Sequence, residues 1–136
     1  MIKAVIDTNV LVSGLLKGRN ARSIINAFSN NKFHLIVADE LINELIFTLR
    51  KPRLKNLIPE SDITMLLALI NDRAWFIKIH HNVTVCRDVK DNIFLACTHA
   101  GHADFLVSGD DDLLVLKNFE RTAILTPTVF LKLLNT

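Results

Sequence analysis

The sequence contains no tyrosine, one tryptophan, two cysteines, three prolines and four glycines. Cys86 and Cys97 are too few for a disulfide framework, and their spacing fits neither a zinc knuckle nor a CxxC redox pair, so both are expected reduced and packed. No Gly/Ser- or Pro-rich linker divides the chain, and no internal repeat recurs. An uninterrupted apolar run of about 18 residues, the length of a membrane span, is absent. The opening Met1-Ile2-Lys3-Ala4-Val5-Ile6-Asp7 meets a carboxylate before an export-signal core can form, which predicts a cytoplasmic protein. No GxGxxG, Walker loop, GxSxG or HExxH pattern occurs, which argues against dinucleotide enzymes, P-loop NTPases, serine hydrolases and zinc proteases.

What is present is apolar and alternating. Half of the 136 residues are hydrophobic, and the mean hydropathy is +0.31, enough to bury the core of one domain over residues 1–136. A net charge of +2 neither demands nor excludes a nucleic-acid partner. Short apolar runs at Ile2–Ile6, Phe33–Val37, Trp75–Ile79, Phe105–Val107 and Ala123–Leu125 read as strands covered on both faces. Helical patterns fall at Val10–Leu16, Ala21–Asn30, Asp39–Arg50, Glu60–Asn71, Asp91–Ala100, a short stretch from Asp112, and Thr126–Leu134, whose Val129, Phe130, Leu133 and Leu134 should dock on the sheet. Strand and helix in turn predict a three-layer α/β/α domain around a mostly parallel sheet of about five strands. Gly101 is placed as a helix C-cap, Pro59 and Pro127 fit a first helical turn, and Pro52 ends the Asp39 helix.

Open α/β sheets bind ligands outside the carboxyl ends of their strands. Asp7 ends the first strand there, Asp110 and Asp112 follow the fourth, and Asp91 opens a helix at the same edge. Glu44 lies on the flank of the Leu41/Leu45/Leu49 arc of its helix. Singly, each acid is explained as a helix cap or a solvated residue. Together they repel, each pair at ~4 Å costing on the order of 4 kcal/mol at an effective dielectric near 20. A cation among them resolves the conflict, and oxygen ligands without His or Cys select Mg²⁺ or Mn²⁺. On a phosphodiester such an ion neutralises developing charge and lowers the pKa of a water, which supports in-line hydrolysis.

The strings Val5-Ile6-Asp7-Thr8-Asn9-Val10-Leu11, Asp39-Glu40-Leu41-Ile42-Asn43-Glu44-Leu45, Arg87-Asp88-Val89-Lys90-Asp91-Asn92 and Ser108-Gly109-Asp110-Asp111-Asp112-Leu113-Leu114 together resemble the PIN-domain ribonucleases. With the closing Leu125-Thr126-Pro127-Thr128-Val129-Phe130-Leu131, the likeness is closest to stand-alone PIN proteins that are toxins of toxin–antitoxin pairs (VapC-like). The resemblance implies a metal-dependent endoribonuclease with Asp7 as central metal ligand, Asp91 as a second, and Glu44 and Asp110 as ligands or holders of its water. Thr8, Asn9 and Ser108 match small polar residues that orient those ligands. It also implies an antitoxin partner and a homodimer. This chain departs from the family pattern at Asp111, where Lys is common, and at Val89, where Pro is frequent. Three consecutive carboxylates leave either Asp110 or Asp112 as the fourth acid, with Gly109 favouring Asp110.

An RNA substrate needs cations beside the acids. Arg50-Lys51-Pro52-Arg53-Leu54-Lys55 supplies Arg50, Lys51, Arg53 and Lys55, and Arg19, Arg22, Arg87 and Lys90 add to them. Phe28, Phe33, Phe47 and Trp75 lie in apolar runs and are assigned to the core. His99 and His102 are expected to be split by the end of a helix, and His80 and His81 lack partner carboxylates at ligand spacing. The alternative to a nuclease is a catalytically silent PIN-like module that binds RNA or protein, its acids serving as caps.

Overall fold

A computed structural model describes residues 1–80, 83–84 and 88–135. Expectations attached to His81, Cys86 and Arg87 lie outside the described residues. In chain order the elements are β1 (Lys3–Ile6), α1 (Thr8–Leu16), α2 (Arg19–Ser29), β2 (His34–Val37), α3 (Asp39–Leu49), α4 (Glu60–Arg73), β3 (Trp75–Phe76), α5 (Val89–Gly101), β4 (Phe105–Val107), α6 (Asp111–Leu114), β5 (Asn118–Phe119), β6 (Thr122–Leu125) and α7 (Pro127–Leu134). The sheet runs β3-β2-β1-β4-β6-β5. Its first five strands are parallel, and β5 pairs antiparallel with β6.

The sixth strand, β5, is absent from the sequence expectation because two residues carry no periodic signal. It exists through a tight hairpin in which Glu120 takes a left-handed φ of 53°. β3 is shorter than the apolar run Trp75–Ile79 suggests, since only Trp75 and Phe76 pair with β2.

Alternation along the strands divides the core. Ala4, Ile6, Leu35, Val37 and Val107 join one cluster with residues of α1, α2, α4 and α7. Val5, Ile36, Leu106 and Ile124 point the other way, into a cluster with Phe94, Leu95 and Cys97 of α5 and Leu113 of α6. Helices on both faces of the sheet make three layers, as strands apolar on both faces require. Burial, with Glu40 adding to it, pushes the Cys97 thiol up to about 12, so it packs as a small apolar group.

Four local expectations are corrected. The α5 terminus lies one residue later than Gly101: His102 is the left-handed C-cap, with φ 51°. Gly101 is instead helical and presses on the Ile36 side chain, where a Cβ would collide. On α7, Phe130 is fully buried, in edge contact with Phe33 at 5.1 Å, while Val129 and Leu133 stand partly exposed. Phe28 and Phe33 are core, but Phe47 is 67% exposed, because it sits about 200° around α3 from Leu45 and Leu49. Trp75 is 46% exposed on the edge strand, stacked on His34 at 4.0 Å. No helix among the described residues is long and apolar enough to cross a membrane.

Candidate metal centre

The strand order reverses at β1, which has β2 on one side and β4 on the other, so the chain opens a crevice beyond the carboxyl ends of β1 and β4. Asp7 follows β1 directly, its N–H donating to Val107 O at 2.9 Å. Ser108, Gly109 and Asp110 follow β4. Three of the helices entering this edge begin on aspartates, as caps to otherwise unpaired N–H groups. Asp7 Oδ1 accepts from Asn9 N at 3.0 Å, Asp88 Oδ1 from Lys90 N at 3.0 Å, and Asp110 Oδ1 from Asp112 N at 2.9 Å.

Capping occupies one oxygen of each residue. The second oxygen of Asp7 accepts the Ser108 hydroxyl at 2.7 Å, and the same hydroxyl accepts from Asp110 N at 3.0 Å. Fully buried Ser108 therefore ties the two strand ends together. Asp91 is not a cap. It sits in the first turn of α5, 5% exposed, and its Oδ2 is buried with no hydrogen-bond partner among the described residues. A buried carboxylate oxygen without a donor is costly unless something cationic reaches it.

The charges respond accordingly. Burial lifts the Asp91 carboxyl from the ordinary 3.8 to about 7, with Asp110 reinforcing it by repulsion and proton sharing, and Asp88 and Asp7 adding smaller repulsions. Burial also raises the pKa of Asp7; the hydrogen bonds from Ser108 and Asn9 oppose the rise, and repulsion from Asp110 adds to it. Asp91, Asp110 and Asp112 each offer a carboxylate oxygen, all within 4.8 Å of one another. Three carboxylates, one of which has a buried oxygen with no partner among the described residues, are hard oxygen donors that fit a divalent cation of the Mg²⁺ or Mn²⁺ kind.

The residues expected from the sequence are thus placed unequally. Asp91 and Asp110 converge, and Asp112 joins them, so both candidates for the fourth acid reach one group. Asp7 stands beside Asp110 and lines with it a cavity of about 380 Å³ that Asn9, Ser13, Gly109 and Pro127 also border. Glu44 is half-buried on α3, which packs against α1 and α5, and is outside the converging trio. Thr8 is buried at the start of α1. Gly109 is not required by the turn, having no positive φ and open space where a Cβ would be.

Asp88 is not among the acids that the sequence points to, although an Asp just ahead of a helical stretch is an N-cap signal. Of the cations, Arg50, Arg53 and Lys55 are exposed and Lys51 is half-buried. Arg22 is directed elsewhere, donating to Gly14 O and Leu16 O at the end of α1. His99 Nδ1 meets the Glu120 carboxylate at 2.5 and 2.8 Å, at the C-terminal end of α5.

A family model described as PIN domain matches residues 3–112. The uncharacterized protein MJ1680 of Methanocaldococcus jannaschii is 29% identical over 119 residues, which make up 86% of this chain and 76% of that protein. Among solved structures, a chain in the crystal structure of VapBC2 from Rickettsia felis, bound to a DNA fragment from their promoter, superposes with a TM-score of 0.60. It covers 92% of this chain and 98% of its own length at 13% identity, a likeness of fold.

Proposed function

Because the chain belongs to the PIN-domain family, we propose that it is a metal-dependent endoribonuclease that hydrolyses single-stranded RNA. The observation that carries the reading is the buried Asp91 Oδ2, without a partner among the described residues, on one of three converging carboxylates. Asp91, Asp110 and Asp112 would hold Mg²⁺ or Mn²⁺ together with Asp7. When bound, the ion would offset charge developing on the phosphate and make water more acidic.

The protein's own residues do the positioning. Ser108 and the Asn9 N–H fix Asp7 so that its carboxylate cannot swing away from Asp110. Asn9 and Ser13 border the adjoining cavity with polar atoms that can face a strand backbone. Glu44, which is not one of the three converging acids, is assigned to hold a water at the rim. Arg50, Lys51, Arg53 and Lys55 are assigned to the phosphates of the substrate, which the carboxylates repel. Water then attacks phosphorus in line and the 3′-oxygen leaves, giving a 5′-phosphate.

The motif likeness to stand-alone toxins, with a fold shared with a chain of VapBC2, supports two partners: a cognate antitoxin protein that masks the acids, and a second copy of the chain.

The test incubates purified protein with mixed single-stranded RNA, with and without EDTA, beside Asp7→Asn and Asp91→Asn variants shown to be folded by circular dichroism. Cutting that EDTA abolishes, and that falls at least about a hundredfold in both variants, is expected for residues stabilising transition-state charge. Equal cutting by the folded variants overturns the assignment. No cutting of any RNA by the unaltered protein would instead favour the silent binding module.

A further inference from the structure

Phe47 is a large aromatic side chain left 67% exposed on α3, a helix that buries Leu41, Leu45 and Leu49 on its other side. The Lys51 Nζ stands 5.8 Å from its ring centroid, a cation over a π face. Around it lies a cavity of about 400 Å³ bordered by Asn43, Ile46, Phe47, Arg50, Lys51 and Pro52, none of them acidic. That volume falls within the span of small-molecule clefts, about 300–1,000 Å³. The cleft opens at the start of the run that carries Arg53 and Lys55. Glu44 precedes Phe47 by three residues, so both lie along one side of the helix.

An exposed ring flanked by cations, next to an exposed amide, has the chemistry of a nucleobase subsite. The ring supplies a stacking plane, Lys51 and Arg50 reach the phosphates on either side, and Asn43 offers a donor and an acceptor to a base edge. A second copy of this chain is a poor occupant. A two-fold contact centred here would set Arg50, Lys51, Arg53 and Lys55 against the same residues of the other copy, and like charges facing each other cost several kcal/mol. A polyanion meets the same charges favourably.

We propose that Phe47 is a base-stacking platform for single-stranded RNA, with Lys51 and Arg50 as its phosphate contacts. The proposal rests on the nuclease reading and adds to it the place where the strand is gripped outside the acidic cluster.

The test measures binding of a fluorescein-labelled, mixed-sequence single-stranded RNA by anisotropy, using the Asp7→Asn protein so that nothing is cut. Phe47→Ala and Phe47→Leu in that background are expected to weaken binding about 5- to 150-fold, the range that loss of one base–aromatic stack produces. Phe47→Trp should bind like the parent, which separates stacking from simple apolar contact. With Asp7 restored, Phe47→Ala should raise KM for cleavage and leave kcat in place.

If the protein with Asp7 intact cuts RNA and every Phe47 variant binds alike, the stacking platform alone is overturned. If that protein neither binds nor cuts RNA, the nuclease reading falls and takes the platform with it. A Phe47→Ala variant that changes the mass seen by light scattering while binding RNA normally would make this face a protein interface and would also overturn the proposal.

Discussion

The Ser108 hydroxyl donates to Asp7 Oδ2 at 2.7 Å across 101 positions of chain, and accepts from Asp110 N at 3.0 Å. One buried oxygen therefore aligns the acids that follow β1 and β4. Ser108→Ala leaves the buried Asp7 carboxylate short of a donor and should lower unfolding stability by about 1–3 kcal/mol in a urea titration. An alanine variant as stable as the parent would show that this hydroxyl does not hold the two strand ends.

The raised carboxyl of Asp91 makes stability depend on pH in the direction opposite to a salt-bridged acid. Between the ordinary 3.8 and about 7, the native chain keeps a proton that the unfolded chain has released. Metal-free protein should thus lose stability as pH rises through that window, by up to about 1.4 kcal/mol per pH unit, and most of the slope should vanish in Asp91→Asn. Melting curves in EDTA at pH 5 and pH 7.5 decide it. A metal-free protein whose melting temperature does not fall between those two values contradicts the buried, proton-holding acid.

Metal should reverse that loss. A ligand bound only by the native state stabilises it by mass action, about 2.7 kcal/mol at a hundred times Kd. Mn²⁺ added near pH 7.5 should raise Tm in the parent protein and leave Asp91→Asn and Asp7→Asn nearly unmoved. Equal shifts in all three would place the ion elsewhere.

Two glycines should behave differently. At Gly101 a Cβ collides with the side chain of Ile36, itself buried in the central sheet, so Gly101→Ala should cost about 1–3 kcal/mol of overpacking despite the better helix former. At Gly109 a Cβ meets nothing within 4 Å, so Gly109→Ala should stay within about 0.5 kcal/mol of the parent. Paired urea titrations test the contrast.

Much of this is legible in the residues. The apolar runs beginning at Ile2, Phe33 and Phe105 give the inner strands because a strand buried on both faces is apolar along most of its length, with Lys3 and His34 only at the half-buried first positions of β1 and β2. Asp7 and Asp110 are visible because they cap helices directly after strands; Asp91, expected to open its helix, lies in the first turn of α5, which Asp88 caps. β5 is not visible, since two residues held by a left-handed Glu120 leave no pattern. Phe47 misleads because an apolar neighbourhood in sequence mixes both sides of a helix, and only the phase of α3 tells them apart.

By itself, then, the sequence determined the alternation of strand and helix, the layered class and the set of acids at one sheet edge, because periodicity and capping act between residues close in the chain. Tertiary structure alone decided which acids meet, that Asp112 joins Asp91 and Asp110 in a group that does not include Glu44, and that Asp91 keeps one oxygen without a donor among the described residues. Those facts depend on how β1, β4 and α5 pack together, and distances between elements far apart in the chain are set by the shared core.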